Sequence, residues 1–129
     1  MVLDTNIVGY FFRGDTRAKR YERHLVGQMR CISFATQAEL YQWTFLRSFS
    51  EQNRSRLLAY VRQHVVLPVD DQLIWKWAEL TAHCRKLGLG MSDADAWIAA
   101  TALRHAFPLV THNRRHFEHV PGLTIISEC

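Results

Sequence analysis

The chain has 129 residues, nearly half of them apolar, which suits one domain with its own core and excludes a disordered or fibrous chain. No apolar run approaches the ~18 residues of a membrane span, and Asp4 interrupts the N-terminus too early for a secretory leader. The formal charge of +4 comes from 16 basic side chains, mostly arginine, against 12 acids, a balance compatible with phosphate contacts but not diagnostic of them. Cys31, Cys84 and Cys129 are odd in number and far apart, which reads as free thiols of a cytoplasmic protein.

In chain order, Val2-Leu3 reads as a short buried strand that stops at Asp4. A helix over the apolar stretch Ile7 to Phe12 follows, with Asn6 as its expected N-cap. Gly14-Asp15-Thr16 breaks the pattern, and Thr16 to Met29 reads as one basic helix carrying Arg17, Lys19, Arg20 and Arg23. Cys31 to Phe34 is a second strand. Thr36 starts a helix to about Arg47 with Glu39 in its first turn, and Ser50 to about Gln63 is another. Val65 to Leu67 is a third strand, stopped by Pro68.

Asp70 or Asp71 caps the longest helix, whose apolar stripe is Leu73, Ile74, Trp77, Leu80, Cys84 and Leu87, ended by Gly88. Met91-Ser92-Asp93-Ala94-Asp95 opens the next helix, in which Ala96, Ala99, Ala100 and Leu103 form a face that packs closely against a sheet. Leu109 to Thr111 is a fourth strand and His112 to Arg115 a loop. Leu123 to Ile126, after the Pro121-Gly122 turn, is a fifth strand. Strands alternating with helices predict one α/β domain over residues 1–129, with a parallel sheet covered on both faces.

The isolated acids fall at particular places in this order. In right-handed βαβ units the C-terminal ends of strands and the N-termini of the helices that follow share one sheet edge. Asp4, Glu39 and Asn113 should meet there. Asp93 and Asp95 join them if their helix runs back into the fourth strand. Each acid also has a local explanation. Thr36-x-x-Glu39 and Ser92-x-x-Asp95 both resemble capping boxes, and the helix dipole favours an acid in either place. Asp4 is harder to explain locally, because a buried carboxylate is costly without a partner. Converging acids without a cation would repel and raise one another's pKa values, and a divalent ion relieves that conflict. Hard oxygen ligands with no Cys or His cluster point to Mg²⁺ or Mn²⁺ rather than Zn²⁺.

Leu3-Asp4-Thr5-Asn6, Thr36-x-Ala38-Glu39-Leu40, Asp95-Ala96-Trp97-Ile98-Ala99-Ala100 and Val110-Thr111-His112-Asn113 with Phe117 resemble a PIN-domain protein. More narrowly, the set resembles the VapC-type toxins of toxin–antitoxin pairs. The resemblance covers essentially the whole chain, in order. It implies a three-layer α/β/α fold with a central, mainly parallel five-stranded sheet whose first strand is central. It also implies a Mg²⁺-dependent endoribonuclease with Asp4, Glu39 and Asp95 as the catalytic acids, cutting to leave a 5′-phosphate and a 3′-hydroxyl.

Under this reading Asp4 and Asp95 hold the metal, with Asn113 and, ranked below Asp95, Asp93. The fourth acidic position of the wider family is often Asp. Asn113 brings no charge there, so a second metal would bind weakly. Thr5 would meet the scissile phosphate, Asn6 would hold Asp4 (or simply cap its helix), and Arg114 and Arg115 with the basic helix would attract the RNA backbone. His112 and His116 read as surface residues. Only three residues precede Asp4, short for this strand in the family, so the expected natural start lies upstream.

The implied partners are an RNA substrate, a cognate antitoxin and a second copy in a homodimer, with no membrane. The helices over Ile7–Phe12 and Thr36–Arg47 carry more apolar residues than one core uses. Ala38, Tyr41, Phe45 and Phe49 share one face, which leaves Leu40 and Trp43 to emerge. The expected antitoxin groove is therefore bounded by Tyr10 to Phe12 and Leu40 to Trp43. The competing class is a catalytically inactive RNA-binding or interaction module of the same fold. A structure-specific DNA nuclease lacks its duplex-binding extensions here. A haloacid-dehalogenase phosphatase would need a second Asp where Asn6 stands.

Overall fold

The computed structural model describes residues 1–129. Five two-residue strands form one sheet: β1 (Val2–Leu3), β2 (Cys31–Ile32), β3 (Val65–Val66), β4 (Leu109–Val110) and β5 (Ile125–Ile126). Their order is β3-β2-β1-β4-β5, every pair is parallel, and β1 is central. The helices are α1 (Thr5–Arg13), α2 (Glu22–Leu25), α3 (Phe34–Leu46), α4 (Glu51–Val61), α5 (Asp71–Lys86) and α6 (Asp93–His105). This is the expected three-layer α/β/α arrangement.

The alternation of a strand divides the core in two. Val2, Cys31 and Leu109 point to one face, where Leu80, Cys84, Ile98, Ala99 and Phe117 cover them. Leu3, Ile32 and Val110 point to the other, against Ile7, Val8, Tyr21, Leu40 and Leu57. The alanine face of α6 is buried as expected, with Ala96, Ala99 and Ala100 almost wholly enclosed. Asp4 follows β1 directly, and its backbone N–H donates to the Val110 carbonyl at 2.9 Å, so the ladder carries the chain to the acid itself.

Several local expectations fail for identifiable reasons. The cap of α1 is Asp4, not Asn6: Asp4 has extended backbone angles, its carboxylate accepts from Thr5 N–H, and the helix has already begun at Thr5. Thr16 to Met29 is not one helix. A 3₁₀ turn over Thr16–Arg20 and the short α2 are separated at Tyr21, whose fully buried ring faces the core. Likewise α3 starts at Phe34, capped by Ser33, which places Glu39 in the second turn and leaves the Thr36 capping box unused.

The faces of α3 are also opposite to those expected, because both are apolar and the one carrying Leu40 is the one that packs on the core. Leu40 is fully enclosed and Trp43 half-buried, whereas Tyr41, Phe45 and Leu46 are exposed. The groove wall expected from Leu40 does not exist. On α5, Ile74 and Leu87 are exposed and so lie outside the buried stripe, while Leu73, Leu80 and Cys84 are inside it.

Candidate active site

At the C-terminal edge of the sheet a cleft of about 520 Å³ is lined by Asp4, Glu39, Asp95, Asn113, Thr5 and Asn6, together with Tyr10, Arg13, Arg17, Trp43, Arg47, Ser92 and His116. Asp4 arrives at the end of the central strand. Glu39 comes from α3, directed there by the β2–α3 connection. Asp95 comes from the first turn of α6, where its N–H donates to the Ser92 Oγ that caps the helix, at 3.1 Å. The three acids meet because strand ends and helix starts share this edge.

Asp4 is 5% exposed. Its Oδ1 accepts from Thr5 N–H and its Oδ2 from the Thr111 hydroxyl, both at 2.7 Å. Burial pushes its carboxyl up to about 6, Asp95 and Glu39 add to the rise, and the two hydrogen bonds oppose it. Burial also raises Glu39, with Asp95 contributing, against the hydrogen bond from Thr5. Neither Asp4 nor Glu39 enters an ion pair, and the partner of Asp95 is His116, whose Nδ1 lies 3.1 Å from Oδ2.

The remaining predicted residues separate into two groups. Thr5 lines the cleft but its hydroxyl is engaged, donating to Glu39 Oε1 at 2.9 Å and sharing a 3.0 Å hydrogen bond with Thr36 Oγ1. Asn6 accepts a long 3.5 Å contact from His112 N–H, and Asn113 N–H donates to Thr111 Oγ1 at 3.0 Å. Outside the cleft stands Asp93, which is exposed and lines a separate groove with Trp77, Thr81 and Arg85. One residue along a helix turns a side chain by about 100°, so residues 93 and 95 cannot face the same way. Arg114 and Arg115 also lie outside. Arg114 reaches the Ile125 carbonyl, and Arg115 borders a neighbouring depression with His116 and His119.

The cations that do line the cleft are Arg13, Arg17 and Arg47. Arg17 belongs to the basic stretch expected to attract RNA, whereas sequence reasoning passed over Arg13 and Arg47, although a signal for Arg47 was present. Glu39, Trp43 and Arg47 recur at four-residue intervals on α3, the spacing of one helix face. Thr111, which holds Asp4, stood in the Val110-Thr111-His112-Asn113 motif and at a strand end, with no role assigned to it.

No three His, Cys, Asp or Glu side chains stand close enough to enclose a metal ion by themselves. The donor set nonetheless suits a hard divalent cation. A buried carboxylate with no cationic partner faces two more carboxylates and an amide across open space, and Mg²⁺ characteristically keeps several waters and takes only one or two carboxylates plus substrate oxygens. Asp4 and Asp95 are the residues that could hold it, with Glu39 and Asn113 lining the same cleft.

The PIN-domain family model matches residues 1–123, and the chain belongs to that family. Within it the chain is similar to ribonuclease VapC1 of Methanocaldococcus jannaschii, 28% identical over 131 residues, covering 99% of this chain and 88% of the relative. It is also similar to the tRNA(fMet)-specific endonuclease VapC of Salmonella typhimurium, 27% identical over 128 residues and covering 99% and 97% of the two chains. Among solved structures, VapBC2 of Rickettsia felis bound to a DNA fragment from its promoter superposes with a TM-score of 0.87 at 25% identity, over 99% of this chain and 98% of the other. No helix is long and apolar enough to cross a membrane.

Proposed function

We propose that this chain is the ribonuclease toxin of a VapBC-type toxin–antitoxin pair, an endoribonuclease that hydrolyses RNA phosphodiester bonds with Mg²⁺ or Mn²⁺. The observation that carries the reading is the buried, unpaired carboxylate of Asp4 beside Glu39 and Asp95. The names of the VapC relatives support it. When bound, the ion would activate water and polarise a phosphoryl oxygen.

The chain's own residues prepare that chemistry. Thr5 N–H and Thr111 Oγ1 fix both oxygens of Asp4 towards the cleft. Thr5 Oγ1 holds Glu39, which is placed to orient the attacking water. Ser92 sets the first turn of α6, and with it the direction of Asp95. Asn113 adds a neutral oxygen where a fourth acid would bind a second ion more strongly. The resemblance to VapC toxins implies cleavage that leaves a 5′-phosphate and a 3′-hydroxyl.

The chain would act in the cytoplasm, as a homodimer, and be held in check by a cognate antitoxin. The cleft that an inhibitory segment would enter is bounded by Tyr10 and Trp43 rather than by Leu40. The direct test incubates purified protein with structured RNA in Mg²⁺ and in EDTA, beside Asp4→Asn. Cleavage should require both the ion and Asp4. Wild-type cleavage rates in the variant would sink the assignment, and inert wild-type protein with intact RNA binding would favour the inactive module.

A further inference from the structure

The cleft that gathers three acids also holds three arginines, and they are not equivalent. Arg17 is already engaged: its Nε and Nη2 donate to the two oxygens of Asp15 at 3.0 and 2.7 Å, and its guanidinium lies 4.1 Å from the Tyr10 ring centre. Arg13 and Arg47 enter no ion pair, although carboxylates line the same cleft. Both stand over the indole of Trp43 instead, at 5.3 and 4.5 Å from its centre. Cation–π attraction holds them there, and neither guanidinium donates a hydrogen bond within the fold.

The seat of the indole is built into α1. A Cβ at Gly9 would come within 2.7 Å of Trp43 Cη2 and 3.2 Å of Cζ3, so any larger residue would displace the ring. Gly9 has no positive φ; its smallness here serves the close approach of Trp43, with Arg13 Nη1 3.4 Å from the same point.

We propose that Arg13 and Arg47, carried on Trp43, form a seat for a backbone phosphate of single-stranded RNA one step along the strand from the acidic centre. This rests on the ribonuclease reading and extends it to how the strand is held. An unengaged guanidinium is a two-pronged donor matched to phosphate oxygens. A phosphodiester strand repeats its anion at every nucleotide. One phosphate can therefore meet the metal-loaded acids while the next meets the arginine pair, and Tyr10 and Trp43 offer apolar edges to the base between them. An acidic peptide would match the arginines but has no counterpart for the carboxylates at the other end.

The test measures binding of a short single-stranded oligoribonucleotide in EDTA, where cleavage is absent, across a range of salt. Arg13→Gln and Arg47→Gln should each weaken binding by about five- to tenfold at low salt and flatten the log–log salt slope by about 0.7, and the double variant by about 1.4. Trp43→Leu should reproduce the double variant, and Trp43→Phe should recover much of the loss, a pattern that general destabilisation would not give. With Ca²⁺ supplied in place of EDTA so that the acids are loaded, a single 5′-mononucleotide should compete poorly with the strand. Full displacement of RNA by an equal concentration of mononucleotide would overturn the two-phosphate arrangement.

An unchanged salt slope in the double variant would refute the seat. So would reduced binding of polyglutamate with RNA binding intact, which would assign the arginines to protein carboxylates. The two readings fail separately. If Asp4→Asn abolishes cleavage while the arginine variants bind normally, only the seat is wrong. If the slopes flatten but no metal-dependent cleavage occurs, only the ribonuclease reading is wrong.

Discussion

Replacing Asp4 with Asn should abolish catalysis and, without metal, make the protein more stable. Lifting a carboxyl from 3.8 to about 6 means that ionising it in the fold costs roughly 3 kcal/mol more than in the unfolded chain. Because the folded-state value is raised, stability is fullest below the unfolded value and declines as pH rises through about 6. Asn is neutral throughout. Its Oδ1 can accept from Thr5 N–H and its amide can donate to Thr111 Oγ1, so both contacts survive with roughly 1 kcal/mol lost to poorer geometry. The variant should therefore exceed the wild type by about 2 kcal/mol at neutral pH in EDTA, or about 6–10 °C in Tm for a domain of this size. Near pH 4 the gain should vanish. Saturating Mg²⁺ should close the gap by stabilising the wild type, by about 2.7 kcal/mol at a hundredfold excess over Kd. Thermal melts at the two pH values, with EDTA and with Mg²⁺, read all of this. A variant less stable than wild type at both pH values, or a difference that ignores pH, would refute the account of Asp4 as a buried and uncompensated charge.

Other outcomes follow from single contacts. Asp95→Asn should abolish RNA cleavage while Asp93→Asn stays near wild type, since only Asp95 lines the cleft; equal losses in a cleavage assay would mean both acids serve it. Ser92→Ala removes the cap of α6 and should cost about 1 kcal/mol in a denaturant melt, with weaker Mg²⁺ binding because Asp95 loses its fixed turn. Gly9→Ala should destabilise the fold by about 1–3 kcal/mol through its clash with Trp43 and should weaken RNA binding; a neutral result in both assays would show that the ring moves freely. Tyr21→Phe leaves His112 Nδ1 and Glu128 N–H without their shared hydroxyl and should lower stability by about 1–2 kcal/mol, seen as a reduced urea midpoint.

The acidic centre was legible because its logic is topological. Once strands and helices alternate, Asp4, Glu39 and Asp95 have one edge at which to meet, and errors of two or three residues in a boundary do not move them off it. Statements about faces had no such protection. That Leu40 points inward and Tyr41 outward on α3 was hidden because both faces of that helix are apolar enough to be the buried one. Asp4 and Asn6 are both good cap residues, and only the backbone angles decide between them. The arginines were hidden for another reason. Arg114 and Arg115 sit beside a predicted site residue in sequence, whereas Arg13 and Arg47 reach the cleft only once α1 and α3 pack around Gly9 and Trp43.

The order of strands also sets the order in which the protein can be assembled. β1 is made first, yet it lies between β2 and β4, and Val2 pairs with both Cys31 and Leu109. No two neighbouring strands are joined by a tight hairpin, so the sheet lacks a fast local nucleus and must wait for distant segments. Asp4 is the extreme case, because the hydroxyl that fixes its outer oxygen belongs to a residue 107 positions later. On a translating ribosome the carboxylate emerges well before Thr111, and the structure that aims it cannot close until β4 has left the exit tunnel. Nascent chains arrested before Leu109 should neither protect Asp4 nor cut RNA, because the hydroxyl that aims the carboxylate has not yet been made.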